Sequence, residues 1–170
     1  MLPHIAPNSV LADLGCGNGD FLRYIQTRIA FGFGVDTAID NRSEATNLAF
    51  KEGDLNEKIP LDDESIDVVT ALAVLEHLHK ADVFVKEILR VLKPGGTCFL
   101  TTPSPASKPL LEFLAHRLKI ISEKDIGDHK RYFGKSELLS LFKDFGEARV
   151  RHFQLGFNTV VVVKKSAALC

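Results

Sequence analysis

Residues Ala12 to Asp20 read ADLGCGNGD and are the most informative segment for predicting the fold. It overlaps the short apolar run Ser9 to Leu14 (SVLADL), which predicts a buried strand that enters a tight loop. The alternate glycines Gly15, Gly17 and Gly19 permit a backbone with positive φ and leave no side chains that would keep a ligand from the main chain. A helix is predicted after the loop from the helical spacing of Phe21, Leu22, Ile25 and Ile29.

Strand and helix patterns alternate downstream of this loop. Phe31 to Val35 predicts a second strand that ends at Asp36. Ile66 to Val74 (IDVVTALAV) is almost continuously apolar, which is typical of a parallel strand covered on both faces. A helix is predicted over Ala81 to Leu92, and Pro94-Gly95-Gly96 separates it from a strand over Thr97 to Thr102. This alternation predicts an α/β fold of the doubly wound type, with a parallel sheet and helices on both faces.

The remaining segments complete the predicted secondary structure. Ser43 to Phe50 is predicted as a helix, and a third strand, poorly marked in the sequence, is predicted before Gly53 and Asp54. The apolar segment Leu110 to Ile121 is also predicted as a helix. Ser136 is predicted to cap a final helix. Ala148 to Leu155 and Phe157 to Val163 are predicted to form a hairpin of two strands.

Composition narrows the classes of protein that fit. The 170 residues are 45% hydrophobic and 25% charged, which predicts one globular domain over residues 1–170. A net charge of -1 provides no overall attraction to nucleic acid, so no nucleic-acid partner is expected. Cys16, Cys98 and Cys170 lie far apart and predict neither a disulfide framework nor a metal site. With no apolar run of about 20 residues, no membrane span is expected and the predicted location is cytoplasmic.

The glycine loop differs from a dinucleotide fingerprint at one position. In a G-x-G-x-x-G pattern counted from Gly15 and Gly17, the third glycine would stand where the chain has Asp20. A carboxylate at the start of a helix disfavours a pyrophosphate there. A ligand with an adenosine, a cationic centre and no phosphates suits Asp13 and Asp20 better.

Two further acids follow the next two predicted strands. Asp36 is placed to accept both hydroxyls of a ribose, a role found with several adenosyl ligands. Asp54, in Gly53-Asp54-Leu55, is placed to accept a hydrogen bond from the exocyclic amine of an adenine. Each of these acids taken singly is equally compatible with a solvated surface position.

Five segments in order resemble the class I S-adenosylmethionine (SAM)-dependent methyltransferases, within the group that includes ubiquinone and menaquinone biosynthesis methyltransferases. They are ADLGCGNGD, GVD (Gly34 to Asp36), GDL (Gly53 to Leu55), DVVTALAVLEHL (Asp67 to Leu78) and LRVLKPGG (Leu89 to Gly96). The resemblance implies a Rossmann-like, mostly parallel sheet of seven strands whose last strand is antiparallel. It also implies SAM as cofactor, S-adenosylhomocysteine as product and a small-molecule methyl acceptor.

The resemblance also assigns roles in binding SAM. Asp13 would lie near the methionine amino group, and Asp36, with Thr37 beside it, would hold the ribose hydroxyls. Asp54 and Leu55 would contact adenine. The main chain of the loop would pass the methionine and ribose at Gly15, Cys16, Gly17 and Gly19, and the sulfonium would be bordered by Leu72 and Ala73.

One departure from the family pattern concerns closure of the site. Only about eight residues precede the first predicted strand, so the helical cap that usually covers SAM is expected to be largely absent. Closure could come from a homodimer or another partner, from the variable region 103–135 acting as a lid and acceptor region, or from residues upstream of Met1 that this sequence lacks.

Three residues are candidates for catalysis. His77 follows the fourth strand and is expected at the mouth of the site, although a structural role is the alternative. His129 and Arg131 fall in the variable region, where Arg131 could grip an anionic acceptor, and a solvated basic loop is the alternative. Two other functions stay open: a SAM-binding module without turnover, acting as a subunit or regulator, and an NAD-dependent oxidoreductase.

Overall fold

The structure is a computed structural model that describes residues 2–39, 46–107 and 131–167. Its centre is a seven-stranded sheet with the strand order β3-β2-β1-β4-β5-β7-β6. The strands are β1 (Val10–Leu14), β2 (Phe31–Asp36), β3 (Leu48–Glu52), β4 (Ile66–Leu72), β5 (Leu92–Pro103), β6 (Glu147–Phe153) and β7 (Asn158–Lys164). The described helices are α1 (Asp20–Ile25), α2 (Ala81–Val91) and α3 (Lys135–Leu141).

Strand directions confirm the predicted topology. The pairs β3/β2, β2/β1, β1/β4 and β4/β5 are all parallel, whereas β7 is antiparallel to both of its neighbours, β5 and β6. Only β7, the last strand along the chain, therefore runs opposite to the other six strands. Strand order also changes direction between β1 and β4, and open α/β sheets form ligand crevices at such a switch point.

The two faces of the sheet have separate apolar cores. On the first face, α2 and α3 bury side chains such as Phe84, Ile88 and Leu138 against the strands. On the second face, α1 packs Leu22 and Ile25 against Leu11 and other strand residues. Helices therefore cover both faces, as the almost continuously apolar β4 predicted.

The predicted helix over Ser43 to Phe50 is wrong for the part that the structure describes. Leu48–Glu52 is β3, which pairs with β2 through Gly32 opposite Leu48 and Gly34 opposite Phe50. A Cβ at Gly32 would lie 2.7 Å from the Leu48 side chain, and one at Gly34 would lie 2.5 Å from the Phe50 ring. The two glycines of β2 thus leave room for β3 side chains, a tertiary effect that local helix periodicity does not report.

Smaller differences lie at the ends of elements. Helix α1 ends at Ile25, although Ile29 beyond it is still buried. Strand β5 begins at Leu92 rather than Thr97, with a register shift against β4. Gly134, not Ser136, is the N-cap residue of α3.

Part of the predicted lid lies outside the described residues. The Leu110 to Ile121 segment and His129 fall in 108–130, so the proposal of a lid and acceptor region over 103–135 stays a prediction. In the part of the chain that is described, each helix is too short or too polar to cross a lipid bilayer.

Candidate functional site

A crevice of about 310 Å³ lies beyond the carboxyl ends of β1, β2 and β4. This is the switch point of the strand order, where the sheet topology predicts a ligand site. Its walls are formed by Gly15, Asp36, Thr37, Asp54, Leu55, Asn56, Ala73, Val74, His77 and Leu78. Seven of the residues predicted from the sequence to bind or act therefore line one cavity.

The glycine loop bends because three of its residues have positive φ. The φ values are 73° at Gly15, 50° at Gly17 and 76° at Gly19. A Cβ at Gly15 would lie 2.4 Å from Val74 Cγ2, so the close packing of the loop against the end of β4 requires glycine. At Gly17 a Cβ would meet no atom within 4 Å, which leaves open space over the main chain.

Asp36 connects this loop to the end of β2. Its Oδ2 accepts a hydrogen bond of 2.7 Å from the Gly17 N–H, and its Oδ1 accepts one of 2.8 Å from the Thr37 N–H. The Thr37 hydroxyl lies 3.3 Å from the same Oδ1. A carboxylate has about four lone-pair sites, so Asp36 keeps acceptor capacity for a ligand while its orientation is fixed.

Asp13 lies below the loop rather than in the wall of the crevice. It is buried at the end of β1, and its Oδ1 accepts a hydrogen bond of 2.6 Å from the Thr70 hydroxyl of β4. The pKa of Asp13 is raised from 3.8 to about 6, mainly by burial and to a smaller extent by the nearby charge of Asp36, while the Thr70 hydrogen bond opposes the shift. A cationic ligand group near Asp13 would favour its ionised form.

Asn56 is a site residue that sequence reasoning missed. Its N–H and its Nδ2 both donate to Asp54 Oδ1, at 2.8 and 2.9 Å, and these bonds lower the pKa of Asp54. Its Oδ1 accepts hydrogen bonds from the N–H groups of His79 and Lys80, before α2. Asn56 thus joins two walls of the crevice, and the Asp-x-Asn spacing after β3, typical of an Asx turn, is the signal that could have revealed it.

The end of β4 provides the opposite wall. Ala73 has φ 55°, a left-handed conformation that is uncommon for a residue with a Cβ, and its N–H bonds to the Thr101 carbonyl at 3.0 Å. Strained backbone of this kind clusters at ligand sites. His77, in the following turn Leu75–His77, lines the crevice with Ala73, whereas Leu72 belongs to β4 itself.

Other predicted residues lie away from the crevice wall. Cys16 is buried in the loop. The Arg131 guanidinium pairs with Glu137 and lies 5.3 Å from the centre of the Phe133 ring, in a cleft of about 400 Å³ between α2 and α3. The structure therefore does not bring Arg131 to the crevice, and His129 lies outside the described residues.

The donors and acceptors of the crevice fit an adenosyl ligand with a cationic centre. Asp36 and Asp54 supply carboxylates at its rim, Leu55 and Leu78 supply apolar surface, and Gly17 leaves space over the backbone. A sulfonium and an amino group complement an acidic site, whereas a pyrophosphate does not. The fold and this site together match the Rossmann-like class of proteins whose ligand carries an adenosyl group.

Comparison with known proteins agrees with this class. Residues 12–100 match the methyltransferase domain family. The 27-O-demethylrifamycin SV methyltransferase of Amycolatopsis mediterranei is 31% identical over 138 residues, which cover 72% of this chain and 49% of that protein. The ubiquinone biosynthesis O-methyltransferase of Pseudomonas syringae is 28% identical over 156 residues, which cover 84% of this chain and 66% of that protein.

A solved structure with the same fold is a complex between the Trm112 methyltransferase activator of Haloferax volcanii and a methyltransferase. One of its chains superposes with a TM-score of 0.77 at 20% identity, covering 96% of this chain and 85% of that chain. The chain therefore belongs to the methyltransferase domain family, among the class I SAM-dependent methyltransferases. It spans only part of several curated relatives, 36% of one and 49% of another.

Proposed function

We propose that this protein transfers a methyl group from SAM to a small-molecule acceptor. The position of Asp36 is the main observation behind the proposal. Its carboxylate accepts a hydrogen bond of 2.7 Å from the Gly17 N–H and borders the same crevice as Asp54. Acids from two strand ends and an open glycine main chain thus surround a space sized for an adenosyl group. Bound SAM supplies an electrophilic methyl group on a sulfonium.

The proposed binding roles follow from these positions. Asp36 accepts hydrogen bonds from the ribose hydroxyls, with its orientation fixed by Gly17 and Thr37. Asp54, oriented by Asn56, accepts a hydrogen bond from the exocyclic amine of adenine, and Leu55 packs against the adenine ring. Asp13 in its ionised form stabilises the charge of the methionine amino group.

Methyl transfer is an in-line displacement, so the protein contributes mainly by holding the acceptor in line with the methyl group and by excluding water. Among the described residues, His77 is our candidate for the base that removes a proton from the methyl acceptor, because it lines the crevice beside Ala73 and Val74. His129 and Arg131 remain proposals for the acceptor side. For Arg131 this role requires the guanidinium to exchange its contact with Glu137 for the acceptor.

The acceptor class and the partner are proposed from the relatives. The rifamycin and ubiquinone relatives are named for small-molecule substrates, which favours an acceptor of that kind. The Haloferax complex pairs a similar fold with a protein activator. We therefore propose that a partner subunit or a second copy of this chain contributes to the acceptor side of the site.

Isothermal titration calorimetry with S-adenosylhomocysteine tests the binding part of this proposal. We expect micromolar affinity in the wild-type protein and a loss of at least tenfold in Asp36→Ala, since the variant loses both the ribose acceptor and the bond to Gly17. Asp62→Ala, which removes an exposed carboxylate remote from the crevice, is the matched control and should bind normally. Equal affinity of Asp36→Ala and wild type would contradict the proposed site.

Turnover separates the proposed enzyme from the two alternatives. Release of S-adenosylhomocysteine with any member of a panel of phenols, amines and carboxylic acids supports methyl transfer. Intact SAM binding without release from any acceptor would favour the binding module, a reading that family membership does not favour. Tight NADH binding with no SAM binding would favour the oxidoreductase, which Asp20 at the start of α1 disfavours.

A further inference from the structure

The segment that carries Asp54 is a long connection whose backbone passes beside the first-face core. This β3–β4 connection covers residues 53–65, and the side chains of Leu55, Ile59 and Leu61 within it are buried. Burial of these side chains also takes main-chain N–H and C=O groups out of water, and such groups require hydrogen-bond partners. The partners therefore decide where the connection lies.

Two side chains of α2 supply these partners. Arg90 donates hydrogen bonds to the carbonyl oxygens of Ile59 and Leu61, each at 2.9 Å. The Glu87 carboxylate accepts a hydrogen bond of 2.9 Å from the Ile59 N–H. Ile59 is therefore fixed to α2 through both of its main-chain polar groups.

Every N–H donor of the Arg90 guanidinium has an acceptor. Nε and Nη2 donate to Glu87 at 2.9 and 2.6 Å, and Nη1 donates to Asp63. Together with the bonds to Ile59 and Leu61, these account for the five donors of the group. The hydrogen bond from Arg90 also lowers the pKa of Glu87, so its carboxylate is ionised. A largely buried pair of this kind, bonded through two nitrogens, has a defined geometry that an exposed ion pair lacks.

The same connection is attached to the other end of α2 through Asn56. The Asn56 side-chain oxygen accepts hydrogen bonds from the N–H groups of His79 and Lys80, just before the helix. Asn56 in turn orients Asp54 through two hydrogen bonds to its Oδ1. Because Ile59 follows Asn56 by only three residues, a shift of Ile59 would also move Asn56 and the Asp54 carboxylate.

From these contacts we infer that Arg90 is a positioning residue for adenine recognition. Arg90 lies outside the wall of the crevice and acts through Ile59 and Asn56, which place Asp54 opposite the exocyclic amine. The inference rests on the proposed function, since it requires an adenosyl group in the crevice. It extends that function by assigning part of the selectivity for adenine to a side chain of α2.

The shape of the guanidinium, and not only its charge, is required for this role. A planar guanidinium donates in several fixed directions, whereas a lysine ammonium is a compact point charge on a flexible stem. Arg90→Lys therefore keeps the positive charge next to Glu87 but cannot hold both carbonyl oxygens of the connection. This conservative variant separates the charge of Arg90 from its geometry.

Calorimetry of the full chain with two ligands tests the inference. S-adenosylhomocysteine carries the exocyclic amine, and S-inosylhomocysteine has an oxygen in its place. A site built to bind an N–H group rejects an analogue that lacks it, so we expect wild type to prefer the adenosyl ligand at least tenfold. In Arg90→Gln the preference should fall to about threefold or less, and in Arg90→Lys it should lie between these values.

Two control variants separate positioning from a general loss of stability. Asp63→Ala removes an exposed partner of Arg90 and leaves the bonds to the carbonyl oxygens, so it should keep the full preference. Val163→Ala truncates a buried side chain of β7, away from the β3–β4 connection. It should lower the free energy of unfolding, measured with urea, without changing the preference.

The outcomes distinguish failure of the inference from failure of the proposed function. Full preference in Arg90→Gln with an intact circular dichroism spectrum, or an equal loss of preference in Val163→Ala, would overturn the inference alone. If Arg90→Gln does not fold, full preference in Arg90→Lys would overturn it in the same way. Equal binding of both ligands by wild type would contradict the role of Asp54 and the inference together. Binding of neither ligand by wild type would contradict the proposed function itself.

Discussion

Asp13 shows how one residue joins the stability of the fold to the chemistry of the site. It is 4% exposed, and burial raises its pKa from 3.8 to about 6. Because the charged form is disfavoured in the folded state, the free energy of unfolding decreases as pH rises from about 4 to about 6 and stays lower above that range. A cationic group of a ligand would offset this penalty at neutral pH.

We predict that Asp13→Asn is more stable than wild type at pH 7.5 and equally stable near pH 4. The pKa difference corresponds to an advantage of up to about 3 kcal/mol, since the amide is not ionised when buried. Urea unfolding between pH 4 and 8 measures it, with Asp20→Asn at an exposed position as the control. An unchanged pH dependence in Asp13→Asn would show that Asp13 does not titrate with the raised pKa.

At the scale of elements, the loop between β1 and α1 is the part that sequence described best. Its glycines, Asp36 and Asp54 were all predicted from their positions after successive strands, because a parallel sheet brings those ends to one edge. A third strand before Asp54 was predicted, but the first residues of β3 were assigned to a helix, because the space that β3 fills is created by Gly32 and Gly34 on another strand. Asn56 was missed although its spacing from Asp54 is typical of an Asx turn, and its other partners, His79 and Lys80, are remote in sequence.

The loop itself supports a prediction that separates folding from ligand binding. Gly15→Ala should lower the free energy of unfolding by about 3 kcal/mol, because a methyl group there meets Val74 at 2.4 Å and φ is positive. Gly17→Ala meets no neighbour within 4 Å and should lose only about 1 kcal/mol from its positive φ.

The same two variants should rank differently in binding. Gly17→Ala should bind S-adenosylhomocysteine at least tenfold more weakly than wild type although it is the more stable variant, because its methyl group occupies the space proposed for the ligand. Urea unfolding and calorimetry on both proteins provide the comparison. Wild-type affinity in Gly17→Ala would mean that the ligand does not pass over this part of the main chain.

At the scale of the whole molecule, topology and family could be predicted from sequence, whereas closure of the site and the acceptor could not. Apolar runs and glycine loops report a strand order that is common to many chains. Acceptor recognition depends instead on side chains from distant segments. Arg131 was proposed for the acceptor side from its position in the variable region, whereas the structure places its guanidinium against Glu137 and Phe133, in the cleft between α2 and α3.

The central claim is that acids at neighbouring strand ends and the glycine main chain hold one adenosyl group. A crystal structure of the protein with S-adenosylhomocysteine tests it most directly. We predict ribose hydroxyls within hydrogen-bonding distance of Asp36, the adenine amine at Asp54 and the methionine part of the ligand over Gly17. Electron density for the ligand at another place, with the crevice filled by the protein's own side chains, would contradict it.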